Sequence, residues 1–326
     1  MRFSCKCGLV CPVKCGRSPR FSLVYTGALL LFIAVLVSSG GGLGDAWAVQ
    51  GGNDLPSYDV RRDDPQSRQA AKNALPGAAA SAQQNDLLRL KEATPDVSVT
   101  FDSALGTPAF LRSTSTLLTA PADQSNWREL LKAFVARYPG LFGVEASTLD
   151  ACTVVREYTT KHNGVLHIEL QQTVNSADLI GVRIRANFTR DGQLINVSST
   201  LLPVASELKF PSLRGPADSL RSAASSIGNA VTQPLVQSDS VKGDAVRFEA
   251  TSDFSAAPGA RRAYFPLTRT EIRPVWVVTL PEGGTSNIYE IAVDAIDGRV
   301  LQRTNRTLYL STEDATYNVF NLDSPS

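Results

Sequence analysis

Residues 164–203 read GVLHIELQQTVNSADLIGVRIRANFTRDGQLINVSSTLLP, and this stretch decides the fold class. Val182, Ile184, Ala186 and Phe188 alternate with Arg183, Arg185, Asn187 and Thr189, so one face is buried and the other solvated. Arg190-Asp191-Gly192 then turns the chain, and Asp-Gly between alternating segments is a strong local hairpin signal. Leu194–Ser198 returns as the partner strand. Upstream, Leu166–Val174 and Val154–Tyr158 read as two further strands around the turn-like His162-Asn163-Gly164.

Nearer the start of the chain, Val97, Val99 and Phe101 alternate as a half-buried strand. A helix follows, with Asn126 as expected cap and Glu129 as its capping-box partner. Trp127, Leu130, Leu131, Phe134, Val135 and Tyr138 fall on one face, and Pro139-Gly140 ends the run. That stripe reads as core. Beyond Pro203 the theme repeats. Pro216, Leu220, Ala223, Ala224, Ile227 and Gly228 outline a modest helix, 232–262 is polar and irregular, and Val275–Leu280 and Tyr289–Ala295 resume as strands. Ile296-Asp297-Gly298 turns into Arg299–Arg303, so "VRIRANFTRDGQLINVS" and "YEIAVDAIDGRVLQRTN" share one layout. The expected fold is α+β, with two tandem modules over 96–205 and 206–310, each an antiparallel sheet packed with one helix.

Residues 49–95 offer little apolar periodicity and several breakers, so a flexible linker is expected, with one helical turn at Leu87–Leu90. Residues 1–48 read as an export signal. A basic lead precedes the fourteen-residue apolar run Val24–Val37, and Ala46-Trp47-Ala48 supplies an A-x-A cleavage site with Val49 as the mature start. The run is short for a span of about 20 residues, so no stable membrane anchor is expected. Secretion is the expected fate.

Without residues 1–48 the chain carries 27 basic against 30 acidic residues and no basic block, which argues against a nucleic-acid partner. Cys5, Cys7, Cys11 and Cys15 lie in the leader, so only Cys152 persists and no internal disulfide is expected. Catalytic chemistry finds little to stand on. His162 and His167 are five apart around Gly164, whereas a catalytic zinc helix of the His-Glu-x-x-His kind needs a spacing of four and an adjacent Glu. No G-x-S-x-G elbow is present, and Cys152 has no cysteine-protease signature around it. Glu169 and Asp294 read as solvent-facing strand residues and Asp297 as a turn residue. Asn187, Asn196 and Asn305 head sequons that matter only in a glycosylating host.

The quoted block resembles the fungalysin/thermolysin propeptide motif. The carriers are Gln171-Gln172-Thr173, Asn175, Val182–Phe188, Asp191-Gly192 and Leu194–Ser198. The family's Gly after the Asn is replaced here by Ser176-Ala177-Asp178, which implies a lengthened turn. The second module looks like a PepSY domain, through Arg273-Pro274-Val275-Trp276 and "YEIAVDAIDGRVL", with Asp294, Asp297 and Gly298 as landmarks. The tail "ATYNVFNLDSPS", within 311–326, resembles the junction to a catalytic domain in fungalysin-like precursors. The resemblance implies a non-catalytic propeptide that inhibits and helps fold a secreted zinc metalloprotease. Zinc would then belong to a catalytic domain beyond this sequence, and this chain would carry no cofactor. A free-standing secreted protein that binds a protease in trans is the alternative. Gln171–Gly181 and Asp294–Arg299 are the expected contact or structural landmarks.

Overall fold

The computed structural model describes residues 55–73, 77–205, 207–210, 212–238 and 245–307. The first part of the chain runs β1 (Tyr58–Asp59), α1 (Val60–Asp63), α2 (Pro65–Asn73), α3 (Gly77–Ala93), β2 (Val97–Phe101) and β3 (Pro108–Ser113). There follow α4 (Trp127–Arg137), α5 (Pro139–Phe142), β4 (Cys152–Thr159), β5 (Leu166–Val174), β6 (Ala177–Phe188) and β7 (Leu194–Ser199). The last part holds α6 (Pro216–Ser226), β8 (Ala245–Arg247), β9 (Gly259–Pro266), β10 (Ile272–Pro281), β11 (Ile288–Asp294) and β12 (Val300–Asn305). The architecture is α+β.

Strands β2-β3-β7-β6-β5-β4 form an antiparallel half-sheet, and β9-β10-β11-β12-β1 form a second. The two are one sheet. Strand β6 pairs in parallel with β9 at Asp178↔Ala263 and Leu179↔Tyr264, while β8 takes the rest of the outer edge of β9. Each half keeps its own core. The stripe of α4 (Trp127, Leu131, Phe134, Val135) packs with Ile168, Leu170, Ile184 and Phe188 of the first half-sheet. The second half-sheet is buried on both faces, which explains the unbroken apolar run Val275–Val278. Trp276, Val278 and Leu280 meet Leu220, Ala223 and Ala224 of α6, whereas Val275 and Val277 meet Val60, Phe265 and Leu301.

Strand β9 begins inside the stretch 232–262 read as irregular and runs four residues past it. Its sequence, GARRAYFP, has alanines where a strand signal expects branched residues, yet Ala260, Ala263 and Phe265 are buried. The segment read as a flexible linker is also ordered wherever it is described. Strand β1 pairs with β12, Val60 is buried, and Gly77–Ala93 is a 17-residue helix. Alanine-rich sequence has high helix propensity without an apolar stripe, so periodicity alone misses it. The helix α3 docks through buried Leu90 and Asp86, whose carboxylate accepts from Gly140 N at 2.7 Å and Leu141 N at 3.3 Å. That carboxylate serves the open amides at the start of α5.

Two local expectations change. Asn126 makes no side-chain cap; the Asp123 carboxylate accepts from Ser125 N one turn earlier. The turn after β5 is tight rather than lengthened. Val174 pairs with Ala177, and Asn175 and Ser176 alone span the hairpin with φ of 49° and 63°. A two-residue primed turn needs both centres left-handed, and here serine holds the place glycine usually fills.

Candidate interaction surface

The solvent side of the first half-sheet is a ladder of polar side chains, because strand period two puts His167, Glu169 and Gln171 beside the odd-numbered polar residues of β6. One oxygen of Glu169 accepts from Arg183 Nη1 at 2.7 Å and Arg185 Nη2 at 2.8 Å. Glu169 is therefore buried and paired, not solvent-facing as its strand position suggested. Burial alone would raise its pKa, but the bonds from Arg185 and Arg183 outweigh it and hold the carboxyl below its ordinary value.

Gln171 accepts from Arg183 Nε at 2.8 Å and turns its amide nitrogen to the carbonyls of Gln172, Leu179 and Val182. Gln172 holds Leu202 by both backbone groups, at 2.9 and 3.0 Å. Both glutamines thus serve buried backbone rather than a partner. His167 is committed at both ring nitrogens, to Asn187 Oδ1 at 2.6 Å and Thr160 Oγ1 at 2.9 Å, and stacks on Tyr158. His162 is exposed on the β4–β5 turn. Among the described residues no group of three or more His, Cys, Asp or Glu is placed to hold a metal ion. Burial pushes the Cys152 thiol up to about 12, so it is not a ready nucleophile. In the sequons, Asn187 Nδ2 donates to Asn196 Oδ1 at 2.6 Å, and Asn305 Oδ1 accepts from Thr307 N.

The turn landmarks separate into two places. Asp191-Gly192 closes against the loop before α4. Ala122 N donates to the Asp191 carbonyl at 2.8 Å, and a Cβ on Gly192 would stand 2.2 Å from the Ala122 carbonyl oxygen. Arg190 and Asp191 there border a wide cleft with Asp123, Trp127 and Glu157. The other two turns converge. Asn175 Nδ2 donates at 2.8 Å both to the Leu208 carbonyl and to Tyr264 Oη. Asp294 is fully buried, a second departure from the solvent-facing reading, and accepts from Arg273 Nε at 2.6 Å and Ile296 N at 2.7 Å. Asp297 accepts from Arg299 N, and Gly298 takes φ 82°. Asn175 and Ala295, one from each landmark turn, border a single cavity of about 230 Å³. The expected cleavage residues Ala46, Ala48 and Val49, and the tail 311–326, lie outside the described residues.

The strand β4 stands apart. It pairs only with β5 among the described residues, and every side chain after Cys152 is exposed. Val154 is 45%, Val155 50% and Tyr158 47% exposed, with a bulge between Val154 and Arg156. Natural sheets blunt such edges or fill them, since unpaired amides beside apolar side chains template another strand. The sequence marked the strand but not its edge position, which depends on the order of all the others.

No family model matches this chain, and no curated protein matches it. One solved structure that aligns is the Bacillus megaterium YpeB C-terminal domain, at TM-score 0.28 and 8% identity, covering 64% of this chain and 76% of that one. At that score the likeness is too slight to bear on function. Among the described residues no helix is long and apolar enough to cross a membrane.

Proposed function

We propose that this chain is the non-catalytic propeptide region of a secreted zinc metalloprotease, exported by residues 1–48 and acting as inhibitor and folding aid for the catalytic domain. The propeptide-like and PepSY-like motifs supply the family, and the open edge of β4 is the observation that carries the contact. Strand addition gives affinity through main-chain hydrogen bonds and specificity through alternate side chains. Val155 and Tyr158 sit at that edge, ready to be covered by an apolar partner strand. In this reading zinc belongs to the partner, and the chain contributes only a surface.

The test is inhibition. Purified residues 49–326 are titrated into the mature catalytic domains of one thermolysin-type and one fungalysin-type protease, followed with a quenched peptide substrate. Wild type is expected to inhibit, and Val155→Lys/Tyr158→Lys to weaken inhibition about tenfold or more, as loss of a central apolar contact does. Absence of inhibition and of complex on gel filtration for both enzymes would refute the propeptide reading. Equal inhibition by the double variant would remove β4 from the contact. Sequencing the transcript past Ser326 separates action in cis from action in trans.

A further inference from the structure

The 230 Å³ cavity at the junction of the two half-sheets has a definite chemistry. Its floor is one face of the β9–β10 pair, where Arg262 lies opposite Trp276 and Tyr264 opposite Pro274. Phe210 closes one side, with its ring 6.2 Å from that of Tyr264. The volume suits one ring on a short stem, since drug-sized ligands need about 300 Å³ or more.

Two donors at this cavity have no acceptor among the described residues. Tyr264 Oη accepts from Asn175 Nδ2, which leaves its own proton to give. The Arg262 guanidinium lies 5.3 Å over Trp276 and meets no carboxylate. The nearby acids are already taken: Asp178 by Arg261 at 3.5 Å, and Asp294 and Asp297 by Arg273. Arg214, which also approaches, binds the Asp297 carbonyl. The surroundings therefore favour an anion. We infer that this cavity binds a carboxylate carried on a short aromatic stem, with Arg262 and Tyr264 holding the anion and Phe210 and Trp276 the ring. This site is independent of the proposed protease contact at β4.

The chemistry is shared by a free aromatic acid and by the C-terminal residue of a peptide. The test is an NMR titration of residues 49–326, observing the Trp276 indole N–H, which donates to the Arg214 carbonyl at 2.9 Å. The probes are 3-phenylpropionate, its neutral amide, and a tetrapeptide ending in phenylalanine as acid or amide. The acid forms are expected to bind about tenfold tighter than the amides, as charge-assisted pairing implies. Arg262→Gln, at an exposed side chain, should abolish that preference and leave the rest of the spectrum unchanged. Tyr264→Phe, lacking the other donor, should reduce it. Binding of the tetrapeptide acid would indicate a chain terminus as ligand, and binding of 3-phenylpropionate alone a small acid. Silence at about 10 mM probe, equal binding of acid and amide, or a preference that survives Arg262→Gln would each overturn the inference.

Discussion

Replacing Gly140 by alanine would set a Cβ 2.6 Å from the Ala82 carbonyl oxygen and 2.7 Å from its carbon. Ordinary contact begins near 3.4 Å, so α3 and α5 must separate by about 0.8 Å. Both obstructing atoms are backbone, and no rotamer change relieves them. Overpacking of this kind costs about 1–3 kcal/mol. The same separation lengthens the Gly140 N to Asp86 bond, now 2.7 Å, whose carboxylate makes it worth about 1.5–3 kcal/mol. Against this, α3 fully buries Leu90 and Asp86, lays half-buried Leu87 on the core and ties Gln83 to the Gly106 and Leu141 carbonyls. The buried leucine alone stabilises by about 1.5–3 kcal/mol. The insult is a large share of the docking, so the helix is expected to open more often while the sheet stays folded. Hydrogen exchange reads this directly. Amides of 77–93 should exchange about 10–100-fold faster in Gly140→Ala, with β5 and β6 unchanged. Unaltered protection of 77–93 would refute the docking of α3 on α5.

Three further outcomes follow from single sites. Ser176→Gly relieves a left-handed serine in the β5–β6 turn and should raise stability by about 0.5–1 kcal/mol in urea melts; a loss would mean the turn is not primed. Glu169→Gln should cost about 1–2 kcal/mol near neutrality, a modest figure because Arg183 and Arg185 are 39% and 55% exposed. A carboxyl held below its ordinary value stabilises above an unfolded pKa of about 4.3 and loses that as pH falls through the folded value. The gap between wild type and Glu169→Gln should accordingly narrow in melts taken from about pH 6 down to about pH 3, and a constant gap would count against the pairing. Asp294→Asn, at a fully buried carboxylate, should cost about 2–4 kcal/mol, and Asp297→Asn, 47% exposed, under about 1 kcal/mol. Equal costs would contradict the assigned burial.

The hairpins were legible because their signal is local. Period-two alternation in 182–188 and the Asp-Gly turns fix strand and reversal without reference to the rest of the chain. Strand β9 was not, because its buried positions include two alanines and its parallel neighbour β6 lies far away in sequence. The buried state of Glu169 was hidden for a similar reason. A carboxylate between two arginines of the next strand looks, in one dimension, like any exposed acid. Likewise Asn175 read as a turn residue, while its bonds to Leu208 and Tyr264 depend on how the second half folds back. The open edge of β4 and the donors at the junction cavity are properties of neighbours, and sequence spacing does not encode them.

The seam between β6 and β9 separates chain continuity from physical attachment. Beyond its two residue pairs, the halves are tied by Asn175 to Tyr264, by Asp178 to Arg261, and by buried Arg269 reaching the Leu105 carbonyl. A proteolytic cut anywhere between Ser199 and Pro216 would therefore leave two fragments still clasped, migrating together until a denaturant parts them. Scission and release would then be distinct events, each with its own rate.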